Sequence, residues 1–244
     1  MNAAQLLLLA GLAGVGSAVG IHAPRGAAEL AGPRPTSLAA VPLEEAMIYW
    51  EYNSSGNDLG VHVFLDGEDW KSLRITNSED RLLFVVSGFG PYKALGMTEL
   101  FFEGAEPSLD EVPLNKLLAA FPEGVYEFEG RTVDDAVIRG ESEFSHAIPD
   151  GPDVTATVGP GNLLEISWTA VTGPPPGFPN LPINIVGYQV LVEEDFQVTV
   201  PSSVLSLTVP PEYVGALAPG KHEFEVLAID ESGNQTITEG SFRL

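Results

Sequence analysis

The side chains in this 244-residue chain that could do chemistry are four histidines and 34 carboxylates, because cysteine is absent. Without thiols there is no thiol nucleophile, no thiolate metal site and no disulfide. His22, His62, His146 and His222 stand far apart, and no two have metal-ligand spacing. His62 alternates with Val61 and Val63 on a strand and reads, like the others, as a surface or hydrogen-bonded structural residue. Neither a Gly-x-Ser-x-Gly nucleophile turn nor a G-x-x-x-x-G-K-[ST] phosphate loop occurs. A glycosidase dyad needs two acids facing each other, which a count of acids does not supply. The expectation is a non-catalytic protein without a cofactor.

Calcium is the metal this composition could take. Asp58, Asp66, Glu68 and Asp69 crowd two loops flanking one strand, and form the candidate site. Asp134-Asp135 and the Asp230, Glu231, Asn234 group sit in further turns. Calcium takes about six to eight oxygens from such loops. The twelve-residue helix-loop-helix pattern is missing, however, and turns select Asp, Asn and Gly for backbone reasons alone.

Four aromatic residues, Tyr49, Trp70, Phe89 and Tyr92, are not accounted for by strand alternation, and Gly88–Tyr92 reads as an aromatic loop. Together they are candidates for a partner-binding platform, which requires rings presented side by side to solvent. Asn53-Ser54-Ser55 and Asn234-Gln235-Thr236 are glycosylation sequons.

A formal charge of −23 repels phosphate backbones and anionic lipid, so nucleic acid is excluded as a partner. The run Leu6–Val15, followed by small residues at Ala18–Gly20 and Ile21–Ala23, reads as a secretory leader over 1–23. Against it, the first charged side chain after this run is Arg25, which leaves an uncleaved anchor or a misplaced start as the alternative. With the leader removed, no membrane association is expected of the mature form. Residues 24–44, rich in Ala, Pro and Gly, read as a flexible tether.

The elements that must position these residues are strands. Gly and Pro make up 26 and 20 residues, a composition of short strands and tight turns. In a first unit, 45–147, Ala46, Ile48, Trp50 and Tyr52 share one face. Leu59, Val61, Val63 and Leu65 share the face of a second strand, which Asp66-Gly67 is expected to close. Further strands fall at 71–76, 82–87 and 95–102, and a hairpin at 125–131 and 136–145 points Tyr126 and Phe128 inward. One short helix is expected in SLDEVPLNKLLAAF, with Ser108 and Glu111 as a capping box and Pro113 at its start.

The boundary Pro149-Asp150-Gly151-Pro152-Asp153 opens a second unit, 148–244, and a linker this short implies a fairly fixed angle. Seven strands follow at sandwich spacing. Ile166 and Trp168 face inward on the second, and Val186, Tyr188, Val190 and Val192 on the third. Phe196, Val198 and Val200 do so on the fourth, Leu205, Leu207 and Val209 on the fifth, and Phe224, Val226 and Ala228 on the sixth.

Trp168 in the second strand, GYQVLVE in the third, Leu217-Ala218-Pro219-Gly220 before the sixth, and AID running into SGN resemble a fibronectin type III domain over about 150–244. The family usually carries a tyrosine after the Leu-x-Pro-Gly turn whose hydroxyl bonds back to the backbone. Here Lys221-His222-Glu223 stands in that place, and His222 is the candidate substitute. DLGVHVFLDGEDWKSLRI, LNKLLAAFPEGVYEFEGRT and FSH make residues 45–146 similar to uncharacterised secreted bacterial proteins that end in such a domain. That resemblance implies no activity.

The fold expected is therefore all-β, two β-sandwich domains in tandem, the C-terminal one fibronectin type III (immunoglobulin-like). The function expected first is a secreted binding or adhesion protein contacting an extracellular protein or polysaccharide. A calcium-stiffened scaffold of the envelope or matrix is the second, and a hydrolase with a carboxylate site in the N-terminal unit the third.

Overall fold

The computed structural model describes residues 40–193 and 195–244, and 39–244 form one compact unit. The leader, and all of the tether before residue 40, lie outside the described residues. The described chain is 54% strand and 8% helix, so the expected all-β class holds.

Two hydrophobic cores organise it. The first is enclosed by β2 (Glu45–Asn53), β3 (Asp58–Thr76), β4 (Leu82–Ser87), β5 (Met97–Glu103), β6 (Gly124–Thr132) and β7 (Val137–Phe144). The 19-residue β3 is its hub: the first half pairs with β2 and β5, the second with β6 and β4. Asp66-Gly67 does not end this strand as expected. Gly67 instead gives the close approach that lets Leu43 lie against it, where an added Cβ would stand 2.9 Å from the Leu43 side chain. Register irregularities between Asp66 and Trp70 and between Trp70 and Ser72 switch the inward parity. Because side chains alternate with period two, such a bulge re-aims everything beyond it. Leu59, Val61, Val63 and Leu65 therefore join Trp70, Leu73 and Ile75 in one core, with Trp50, Tyr126, Phe128 and Phe144.

The end of the expected tether belongs to this unit. Val41–Pro42 form β1, parallel to β7, and Leu43 donates its N–H to Arg139 O at 2.7 Å. Two short helices occur where one was expected, α1 (Pro91–Leu95) and α2 (Leu114–Ala120). α2 begins after Pro113; Ser108 makes no helix cap but a tight turn, its hydroxyl accepting from Asp110 N–H. Leu114, Leu117 and Leu118 of α2 pack on the core as the apolar stripe requires.

The second core lies between a three-stranded and a four-stranded layer. β8 (Val154–Gly159), β9 (Leu163–Trp168) and β12 (Ser206–Val209) make the order β12-β9-β8. β10 (Ile185–Val192), β11 (Phe196–Pro201), β13 (Lys221–Asp230) and β14 (Gln235–Arg243) make β14-β13-β10-β11. A four-residue helix, α3 (Pro211–Val214), precedes β13. The Trp168 and Tyr188 rings meet across the layers at 5.6 Å, among Leu164, Ile166, Val190, Val192 and Val226. Val186 departs from its expected inward face and is 52% exposed, because a bulge between Ile185 and Gly187 offsets the alternation there. Leu205 precedes β12 and is exposed.

A single sheet runs through both units. β14 adds to β2 in parallel, Gln235 beside Glu51, Thr236 beside Tyr52 and Ile237 beside Asn53. The seam is thus made of backbone hydrogen bonds as well as side chains, a firmer joint than a short linker alone provides.

Candidate functional site

Beside this seam β2, β3 and the loop after β5 bring three ionisable side chains together. Glu51 on β2 and His62 on β3 are buried, Glu51 only 2% exposed, and Glu106 reaches them from the loop. His62 Nε2 lies 2.9 Å from Glu106 Oε1 and 3.7 Å from Glu51 Oε1. The other Glu51 oxygen accepts from the Gln235 amide across the seam. Gly60, paired with Glu51, makes room for this: a Cβ there would stand 2.5 Å from Glu106 Cγ. The Tyr49 ring packs on the imidazole at 5.3 Å and Phe101 at 5.9 Å. Among the described residues His62 Nδ1 is buried without a partner, so the ring's hydrogen bond is the one from Nε2 to Glu106, with Glu51 near the same nitrogen.

The electrostatics follow from burial in an acidic neighbourhood. Desolvation pushes the Glu51 carboxyl up to about 7, against the opposing pull of His62 and the Gln235 hydrogen bond. Burial lowers His62, but Glu106 and Glu51 outweigh it and the imidazole is raised overall. Burial, then Glu51 and Glu103, raise the Tyr49 phenol.

The residues singled out from the sequence are placed differently. Asp58 opens β3 and Asp66 lies eight positions along the same strand, roughly 26 Å at about 3.3 Å per residue. They cannot ligate one ion, so Asp58, Asp66, Glu68 and Asp69 do not form a single calcium site. Asp66 instead accepts from Gly67 N–H, and Asp58 is raised by burial and then by Glu106. The cluster of potential metal ligands among the described residues comprises Glu51, His62 and Glu106, none of them in that set. Tyr49 and Trp70, 2% and 0% exposed, are removed from any platform, Trp70 because the parity switch in β3 turns it into the core. Phe89 and Tyr92 are 79% and 66% exposed, flanking the start of α1.

Two further side chains resolve sequence questions. His222 Nε2 lies 2.7 Å from Ala218 O and its Nδ1 2.6 Å from Glu193, so histidine does bond back to the backbone in place of tyrosine. Asn234 is fully buried, which withdraws its sequon in the folded chain. Asp230 accepts from Asn184 N–H and from the Ser232 N–H and hydroxyl, which is turn chemistry.

Neither a family model nor a curated protein sequence matches the chain. Among solved structures it is similar to a two-domain fibronectin type III segment of chicken tenascin at 10% identity and TM-score 0.30, covering 83% of this chain and 99% of that one. The spore cortex lytic enzyme SleM of Clostridium perfringens is similar at 19% identity and TM-score 0.31, over 40% of this chain and 28% of the enzyme. A bacterial ice-binding adhesin segment is similar at 13% and TM-score 0.28, over 84% and 64%. The strand order described above makes the C-terminal unit a seven-stranded β-sandwich. Among the described residues no helix is long and apolar enough to cross a membrane.

Proposed function

We propose that this is an extracellular, non-catalytic binding or adhesion protein that engages its partner through the surface between Leu82 and Leu95. One observation carries the reading. Of the eleven large hydrophobic side chains that are exposed among the described residues, six fall in this stretch: Leu82, Leu83, Val85, Phe89, Tyr92 and Leu95. Concentrated exposed apolar surface marks an interaction site. Among the described residues β4 pairs with β3 alone, so its other edge offers unpaired N–H and C=O groups beside that surface. An extended protein segment adding to this edge would gain main-chain hydrogen bonds, with alternate side chains seated among the apolar ones. The leader read in Leu6–Val15 and the charge of −23 support an extracellular location.

The test is to pan a displayed peptide library on the chain and on its Val85→Lys and Phe89→Ala/Tyr92→Ala variants. Peptides alternating apolar and polar residues should be enriched by the wild type and lose at least about tenfold in affinity for V85K. Equal binding to the variants, or retention on cellulose or chitin in place of peptides, would sink strand addition at β4.

A further inference from the structure

We infer that Glu51, His62 and Glu106 form a site for one divalent transition-metal ion of the zinc class. Their ligating atoms lie within 4.8 Å of one another. A tetrahedral ion with bonds of about 2.0 Å needs donors about 3.3 Å apart, and Glu106 can close that difference. It comes from a loop and its side chain is one-third exposed.

The donor set selects the ion. Two carboxylates and an imidazole suit zinc and its neighbours, whereas calcium and magnesium favour all-oxygen shells. Gly60 supplies the cradle, since any side chain there would occupy the space that Glu106 needs. Gln235 fixes the outer Glu51 oxygen, the kind of support that orients a metal-binding carboxylate. Tyr49 and Phe101 wall the imidazole with aromatic surface, and with Glu106 one-third exposed, a fourth ligand would be water from that side. Bound there, the ion ties the loop after β5 to β2 and β3 next to the seam with β14.

The experiment is calorimetric titration of the full chain with Zn²⁺ after chelator treatment, alongside Glu106→Gln and Gly60→Ala. One ion per chain is expected, with affinity at least about tenfold weaker in both variants. Saturating Zn²⁺ should raise the wild-type melting midpoint by about 5–10 °C. Metal-free melts of E106Q and G60A that match the wild type would show that the loss is one of ligation and not of folding. Absence of stoichiometric uptake, unchanged affinity in E106Q, or binding of Ca²⁺ in preference to Zn²⁺ would overturn the site.

Discussion

Asn234 Oδ1 accepts the Trp50 backbone N–H at 2.8 Å, joining residues 184 apart in sequence, while its Nδ2 donates to Ser145 O and Ala147 O. One amide thus holds β2, the linker and the turn before β14 together. Asn234→Ala should cost about 2–4 kcal/mol in urea unfolding, since it leaves a buried donor and two carbonyls unpaired. Asn234→Asp should be no milder, because it keeps the acceptor but sets an anion against those carbonyls. A cost below about 0.5 kcal/mol, the range of ordinary surface changes, would contradict this role.

Phenylalanines 128 and 89 should behave as opposites. Phe128 is buried in the first core and Phe89 projects from the loop before α1. Phe128→Ala should destabilise by about 3–5 kcal/mol through lost burial and the cavity left behind. Phe89→Ala should stay within about 0.5 kcal/mol. Matched denaturation curves decide it.

Gly240 is a glycine of packing. It pairs with Phe224 across β13 and β14, and the Phe224 ring lies where its Cβ would be. Gly240→Ala must push that buried ring off its seat and should cost about 1–3 kcal/mol, although alanine in place of a strand-interior glycine otherwise stabilises by about 0.5–1 kcal/mol. A neutral result would show that Phe224 has room to move.

His222 should make stability depend on pH. The Ala218 carbonyl, then Glu193, favour the imidazolium and raise its pKa in the folded state. The folded chain therefore holds this proton more tightly than the unfolded one. Its contribution is complete below the ordinary histidine value of about 6.5 and is lost as pH rises through the raised value. Melting midpoints measured in chelator should fall as pH rises above the ordinary histidine value of about 6.5, and His222→Phe, which keeps the stack on Phe242, should remove that component. An identical slope in the variant would assign the effect elsewhere.

Local pattern was enough to find the seven strands of the C-terminal sandwich, its Trp168 centre and the inward faces of β2 and of the first half of β3. Burial imposes period-two alternation wherever one face meets a core, and alternation is written in neighbouring residues. His222 was nominated by the resemblance to fibronectin type III domains, which place a bonding tyrosine after the Leu-x-Pro-Gly turn where this chain has Lys221-His222-Glu223. Phe89 and Tyr92 were legible only as aromatic residues that strand alternation leaves unexplained, and it is the structure that exposes them.

Only the tertiary structure decided the rest. The bulges of β3 turn Trp70 inward, and a parity switch of this kind depends on partner strands distant in sequence. The four acidic residues looked close because they flank one strand, yet an extended strand carries its ends apart. Glu51, His62, Glu106 and Gln235 come from four separate stretches and meet through the β2–β3 ladder, the β2–β14 seam and the cradle at Gly60. Strand pairing over 184 residues leaves no spacing signal in the chain, so composition determined that this protein is all-β, acidic and without thiols, while pairing register determined which of its carboxylates face an imidazole.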